Sequence, residues 1–135
     1  MPGIDCSNAQ RRPYESSNRK ISLVTEEMII ELMTIAVPQD KNGGLGRDLA
    51  SLVGPIHLQP GCLGCRSFRS WPEENMLQIE ARWTSREDLV RHLKSDTYKK
   101  LLLLMELSPA PPRVEFFTVA DLHGLDMVRD ARSPE

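Results

Sequence analysis

The stretch over residues 79–107 limits the fold of this chain more than any other, because a strand pattern runs directly into a helix pattern. Apolar and polar residues alternate over 76–83, the two-residue period of a strand with two different faces. Ser85 then offers a hydroxyl N-cap, and Asp88 completes a pattern like a capping box. Leucines recur near helical spacing until prolines forbid continuation. We therefore predict one long helix over roughly 86–107.

Similar patterns place the other elements. The run at 27–37 is almost unbroken in its apolar residues and predicts a strand buried on both faces. Gly54 and Pro55 are expected to kink or shorten the first helix. The predicted elements are a strand at 27–37, a helix at 45–56, strands at 65–71 and 76–83, a helix at 86–107 and a strand at 114–119. This β-α-β-β-α-β order is the α+β ferredoxin-like arrangement, with two helices on one face of a four-stranded antiparallel sheet.

Domain organisation follows from where these patterns stop. Residues 1–25 are polar and aperiodic and predict a flexible arm, and residues 121–135 predict a C-terminal tail. The domain between them spans 26–120. Phe116 and Phe117 point to opposite sides of the last strand, so the face without helices also carries apolar surface. We therefore expect a homodimer with the two sheets packed face to face.

Charge and hydropathy exclude some partners. A net charge of -2, with basic and acidic residues interleaved, provides no basic field for nucleic acid. No apolar run approaches the ~20 residues that a membrane helix needs, and the first twenty residues lack the apolar core of a secretion signal. The expected location is therefore the cytoplasm.

The strand-to-helix segment resembles the antibiotic biosynthesis monooxygenase-like family. The matching residues are Glu80, Trp83, Ser85, Glu87, Asp88, Leu89, His92, Leu93, Ser95 and Tyr98. The resemblance covers roughly residues 26–120 and implies a dimeric α/β barrel. It also implies oxygen chemistry in a hollow between the sheet and its helices, often with no metal or flavin. Relatives that degrade haem place a histidine iron ligand where this chain has residues 101–104, which are all leucine, so that activity is not favoured.

Three residues are candidates for the catalytic site. Trp83 ends its strand, His92 lies about two turns into the next helix, and both could line such a hollow. His92 could act as a base towards a phenol or quinol, and Tyr98 could face the same cavity. The alternative is structural, with Trp83 in the core, His92 bonded to a backbone carbonyl, and Tyr98 half buried.

The cysteines lie outside the family pattern. Cys62 and Cys65 form a C-x-x-C motif five residues after His57, which could be a redox pair or part of a zinc site. A fourth ligand would have to come from His123, from Cys6 or from a partner subunit. Because no second such motif exists in the sequence, two small buried thiols at a tight turn are the preferred interpretation.

The sequence therefore predicts a cofactor-independent monooxygenase acting on a small aromatic or quinol-like substrate. No cofactor or metal is expected, and the expected partners are a second copy of the chain and a small-molecule ligand. Two alternatives stay open: a non-catalytic ligand-binding or dimerisation domain, and a thiol or metal sensor built on the C-x-x-C motif.

Overall fold

A computed structural model of the chain describes residues 27–39 and 44–134, of which residues 27–119 belong to one compact unit. The elements described in that unit are β1 (Ile29–Ala36), α1 (Gly44–Ala50), α2 (Val53–His57), β2 (Cys62–Arg69), β3 (Met76–Trp83), α3 (Arg86–Leu93), α4 (Asp96–Met105) and β4 (Arg113–Thr118). The remaining described residues, 120–134, contain the helix α5 (Leu125–Arg132). The predicted arm at 1–25, with Cys6, lies outside the described residues.

The four strands form an antiparallel sheet in the order β2-β3-β1-β4, which confirms the ferredoxin-like arrangement. Side chains alternate across each strand, so one face packs against the helices, while the other, called the open face below, packs against none of the helices described in residues 27–119. The core between sheet and helices contains fully buried residues from every layer, among them Met33, Ile79, Leu49, Ile56 and Leu101. β1 and β3 are the central strands and therefore supply the most enclosed positions.

The first predicted helix is two short helices, α1 and α2, and the break falls before Gly54 and Pro55. Proline is tolerated in the first turn of a helix, where its missing N–H would have no intrahelical partner. Gly54 and Pro55 therefore belong to the beginning of α2, and the chain bends two residues earlier, at Ser51 and Leu52. Gly54 and Pro55 were expected to kink or shorten the first helix; the helix is indeed interrupted, but at residues 51–52 rather than at the proline.

The second predicted helix is also two helices, because α3 ends at Leu93 and α4 begins at Asp96. Ser85 accepts a hydrogen bond from the backbone N–H of Asp88 at 3.1 Å, as its N-cap position predicted. Ser95 repeats the arrangement for α4 by accepting from the N–H of Tyr98 at 3.1 Å. A second N-cap inside the leucine-rich stretch therefore divides the expected long helix.

Two further differences concern the ends of elements. Strand β2 begins at Cys62 rather than at residue 65, and its register against β3 shifts between Cys62 and Gly64, as in a β-bulge. Residues 125–132, predicted as part of an aperiodic tail, form α5. Asp126 in its first turn pairs with Arg129 at 3.3 Å, which places each charge favourably for the helix dipole.

Gly61 joins the turn after α2 to the cap of α3. Its φ of 81° is in the left-handed region, and an added Cβ would collide with the Asp88 carboxyl group. That carboxylate accepts hydrogen bonds from the hydroxyls of Thr84 at 2.5 Å and Ser85 at 3.0 Å. These bonds, that of Thr84 above all, hold the pKa of Asp88 below its usual value.

Replacing Gly61 with alanine is expected to lower the free energy of unfolding by about 2 to 4 kcal/mol, from the left-handed backbone and the disturbed cap. Urea unfolding followed by circular dichroism measures this. Gly54→Ala is the control, since an added Cβ there meets nothing within 4 Å. In α2 it should stabilise by about 0.5 to 1 kcal/mol. Equal effects at both positions would contradict the argument.

Candidate functional site

Glu31 is a charged residue at the centre of the sheet. It lies on the helix-facing side of β1, between Ala81 of β3 and Phe116 of β4, and is 0% exposed. The expectation that the first strand is apolar on both faces is therefore wrong at this position. Burying a carboxylate costs several kcal/mol unless it is paired and hydrogen-bonded, so the groups around it determine what it can do.

Two side chains contact one oxygen of this carboxylate. The indole Nε1 of Trp83, at the end of β3, donates to Oε1 of Glu31 at 3.2 Å. The imidazole Nε2 of His92, on α3, lies 3.1 Å from the same oxygen. The rings of Trp83 and His92 stack with centroids 4.4 Å apart and planes at 26°. The two candidates predicted from the strand-to-helix segment thus meet at a third residue, Glu31.

The other imidazole nitrogen is held by Gln59, which lies after α2. His92 Nδ1 is 2.6 Å from Gln59 Oε1, and Gln59 Nε2 donates to Ser95 Oγ at 3.1 Å. The Ser95 hydroxyl gives its own hydrogen to the His92 carbonyl at 2.7 Å, so towards Gln59 it can only accept. The amide NH₂ therefore faces Ser95 and the amide oxygen faces His92. It follows that Nδ1 of His92 carries a proton.

Tyr98 completes the aromatic surroundings of the histidine. Its ring meets that of His92 edge to face, with centroids 5.0 Å apart and planes at 78°. Burial and the nearby charge of Glu31 raise the pKa of Tyr98 to about 12. The structure therefore brings Trp83, His92 and Tyr98 together, and the tyrosine hydroxyl remains protonated at neutral pH.

Two atoms of this cluster have no hydrogen-bond partner among the described residues: Oε2 of Glu31 and Nε2 of His92. The short approach of Nε2 to Oε1 of Glu31 therefore lacks the direction of a good hydrogen bond. Leaving a buried polar atom unpaired costs about 1 to 3 kcal/mol, and such atoms are rare in folded proteins. Both atoms belong to side chains with no exposure, so a ligand group that supplied the missing hydrogen bonds here would be bound favourably.

A cleft of about 330 Å³ lies elsewhere in the same unit. It is lined by Gly46, Arg47, Ala50, Ser67, Phe68, Arg69 and Leu77. Leu77 is near the beginning of β3, whereas Trp83 ends that strand, so the cleft and the histidine lie towards opposite ends of the sheet.

The C-x-x-C motif lies on β2, with Cys65 buried and Cys62 half-buried, and both are free thiols. His57 is exposed on α2. Among residues 27–39 and 44–134, no group of three or more His, Cys, Asp or Glu side chains is placed to hold a metal ion. His123 is exposed in the segment before α5. The described residues thus do not assemble the metal site considered from the sequence.

Burial also determines the reactivity of the cysteines. It raises the pKa of Cys62 and, with a smaller contribution from the neighbouring Cys62, raises the pKa of Cys65 to about 12. Because the thiolate is the reactive form, very little of Cys65 is reactive at pH 8. In a Cys6→Ser background, modification by Ellman's reagent should be at least about 100-fold slower in native protein than in urea. Rapid native reaction would instead favour a thiol sensor.

Sequence reasoning missed Glu31 and Gln59. A lone acid within an apolar run was the available signal for Glu31, because a charge in a strand predicted to be buried on both faces needs a partner. Gln59 offered no comparable signal, since its contact with His92 spans 33 residues of chain.

No helix in the described part of the chain is both long enough and apolar enough to cross a membrane.

Comparisons with solved structures agree with the fold. The Rv0793 protein of Mycobacterium tuberculosis is 20% identical with a TM-score of 0.64, and the match covers 72% of this chain and 99% of that one. PA3566 of Pseudomonas aeruginosa is 16% identical with a TM-score of 0.63, covering 72% and 98%. A variant of SnoaB, a cofactor-independent oxygenase from Streptomyces nogalater, is 18% identical with a TM-score of 0.60, covering 71% and 96%.

At these identities the solved structures establish the fold alone. None of the curated proteins matches the sequence. The family model for antibiotic biosynthesis monooxygenases matches residues 28–102, which is more than half of the chain and includes β1, β3 and most of α4. The protein therefore belongs to the antibiotic biosynthesis monooxygenase family.

Proposed function

We propose that this protein is a monooxygenase whose substrate is a small hydroxylated aromatic or quinol-like molecule. One observation carries the proposal: Glu31 and His92 form an enclosed acid-base pair with two unpartnered atoms beside Trp83. Clusters of this kind are candidates for chemistry, because burying them costs stability that packing alone would not require. The family match supplies the reaction class.

The pair suits the first step that such a substrate needs. Removing the proton from a phenolic or quinolic hydroxyl produces an anion, which donates electrons to oxygen more easily than the neutral molecule. The rings of Trp83 and Tyr98 offer flat apolar surface beside the pair, against which a planar substrate could pack. In this proposal Glu31 and His92 take part in removing the proton from the substrate hydroxyl, and the aromatic residues position the substrate ring.

The electrons come from the substrate itself in this proposal. SnoaB, which shares the fold, is described as a cofactor-independent oxygenase. We extend that description to this chain, so the reaction would require neither a flavin nor a metal.

Entry to the pair requires side chains to move, because Glu31 and His92 have side chains with no exposure. Gln59 and Ser95 are the half-buried members of the network. The proposed route from solvent therefore passes over these two residues, between the turn after α2 and the beginning of α4.

Oxygen uptake by metal-stripped protein across a panel of quinols and polyphenols tests the function. Replacing His92 with glutamine should lower kcat/KM by about 10² to 10⁴, the usual contribution of acid-base catalysis. His57→Gln is the matched control, since that histidine is exposed on α2 and should leave uptake unchanged.

The proposal fails if no member of the panel raises uptake above the uncatalysed background. A ligand that binds without consuming oxygen would make a binding domain the better description. Equal losses in His57→Gln and His92→Gln would also contradict the assigned site.

We propose further that the protein is a homodimer joined through the open face of the sheet. Ile30 and Leu32 of β1 point to that face, as do Phe68 of β2 and Phe117 of β4, which are 44% and 46% exposed. No described helix of residues 27–119 covers this face. A second copy would bury the apolar side chains symmetrically.

A further inference from the structure

The cleft between helix α1 and the edge strand β2 is separate from the cluster around His92. One wall is formed by Gly46, Arg47 and Ala50 of α1, and the other includes Ser67 and Arg69 of β2. Its volume of about 330 Å³ lies at the lower end of the range for sites that bind small molecules. The charged residues described in its lining are both arginines, so the cleft is positive.

Arg69 is held at two points above α1. Its Nη1 donates to the backbone carbonyl of Glu74 at 2.9 Å. Its Nη2 occupies the space that a side chain at position 46 would need, because a Cβ added to Gly46 would collide with it. Glycine at this position therefore lets the guanidinium lie directly against the helix. The other N–H groups of Arg69 make no hydrogen bond within the described part of the chain and are available to a ligand.

Arg47 and Ser67 add further donors to the same cleft. The Arg47 side chain makes no ion pair or hydrogen bond with any residue that the structure describes, and the Ser67 hydroxyl bonds to none of them either. The described lining contains no Asp or Glu. Since the polar groups are mostly donors, a ligand that satisfies them must bring acceptors, and the two positive charges favour an anion.

The rest of the lining is apolar. Leu77 is 3% exposed and Ala50 is half-buried, so part of any ligand here would lie against hydrocarbon. Inorganic phosphate would leave that surface in contact with water, whereas an anion with an apolar body would cover it. The planar guanidinium group also matches the two oxygens of a carboxylate, to which it can donate two parallel hydrogen bonds.

We propose that this cleft binds a small organic carboxylate, with its oxygens between Arg47 and Arg69 and its apolar part over Leu77 and Ala50. The ligand would connect α1 to β2, because each contributes one of the two arginines. This inference is independent of the monooxygenase function, since the cleft shares no lining residue with the cluster around His92.

Titration of the full chain with sodium benzoate, followed by amide ¹H–¹⁵N spectra, tests the proposal. Benzoate joins a carboxylate to a flat apolar ring, and benzamide has nearly the same shape without the charge. The amide signals of Gly46, Ala50 and Ser67 should move with benzoate and stay in place with sodium chloride at the same ionic strength. Benzamide should bind at least about tenfold more weakly, since it cannot form charge-assisted hydrogen bonds of the same strength.

Gly46→Ala is the sharpest variant, because it moves Arg69 without removing its charge. The added methyl group meets only the end of a flexible side chain, so the fold should tolerate it. Benzoate should then bind about tenfold more weakly. Gly54→Ala is the matched control, since its added Cβ meets nothing within 4 Å.

A second pair of variants removes charge. Arg69→Gln should weaken benzoate binding at least as much as Gly46→Ala does. Arg86→Gln removes an exposed arginine at the beginning of α3, near the other end of the sheet, and should leave the affinity unchanged.

No movement of the cleft signals at about 20 mM benzoate would overturn the proposal. Equal affinity for benzamide, tighter binding of inorganic phosphate, or wild-type affinity in Gly46→Ala or Arg69→Gln would overturn it as well. Signals that moved around His92 instead would assign benzoate to the candidate site and leave the cleft without a ligand. None of these results depends on oxygen uptake, so the monooxygenase proposal is tested separately.

Discussion

Replacing Glu31 with leucine should lower the free energy of unfolding by about 3 to 5 kcal/mol, the size expected when one partner of a buried acid-base pair is removed. The substitution leaves Nε1 of Trp83 enclosed without its acceptor and removes the carboxyl group that lies 3.1 Å from Nε2 of His92. Urea unfolding followed by tryptophan fluorescence and circular dichroism measures the change.

Two further variants separate the contribution of the Glu31 charge to stability from that of its hydrogen bonds and packing. Glu31→Gln keeps an oxygen acceptor for Trp83 and should cost less than the leucine variant. Glu31→Leu combined with His92→Leu removes both polar groups and should recover part of the loss, because apolar replacement of a whole buried pair is often neutral or stabilising. If Glu31→Leu were as stable as wild type, the contact between Glu31 and His92 would not stabilise the fold, and the argument from burial would fail.

Replacing Leu32 with lysine should weaken the proposed dimer at least about 100-fold, because removing a charged side chain from water at an interface costs several kcal/mol and the apolar contact of the leucine is lost. Leu32 points to the open face of the sheet, where its neighbours are Glu80 on β3 and Glu115 on β4. A lysine there is well accommodated in the monomer. The substitution therefore affects association more than folding. Analytical ultracentrifugation measures the dissociation constant of the dimer for the wild type and the variant.

Leu103→Lys is the control for this experiment. Leu103 is 57% exposed on α4, away from the sheet, so the same change of chemistry should leave the dimer intact. A wild-type protein that sediments as a monomer at micromolar concentration would contradict the dimer outright. Loss of the dimer in both lysine variants would show that the added positive charge, rather than its position on the open face, weakens association, and would contradict the proposed interface.

Local patterns predicted most of the fold. The alternation over 76–83 coincides with β3, and the capping residues after it place the beginning of α3 correctly. These features depend on neighbouring residues, which a sequence displays directly. The break at Ser95 was missed because serine is tolerated within helices, and the leucines beyond it continued the apolar pattern.

The site was predicted only in part, because a sequence displays local patterns but not contacts between residues that are distant along the chain. Trp83, His92 and Tyr98 lie within 16 positions of one another and share one recognisable segment. Glu31 and Gln59 reach them across 52 and 33 residues of chain, so only the folded sheet brings them together. Their roles depend on burial and hydrogen-bond direction, which the order of residues does not display.

The break between α3 and α4 at Ser95 lowers local helix stability, but it brings the residues of the candidate site together. Residues six positions apart on an unbroken helix differ in direction by about 120°, so His92 and Tyr98 could not meet as they do. The interruption turns the chain, frees a serine hydroxyl to orient Gln59, and lets the tyrosine reach the imidazole. A substitution that fused α3 with α4 would strengthen the local helix and would separate His92 from Tyr98 and Gln59. Selection for stability and selection for the proposed activity would therefore favour different residues at position 95.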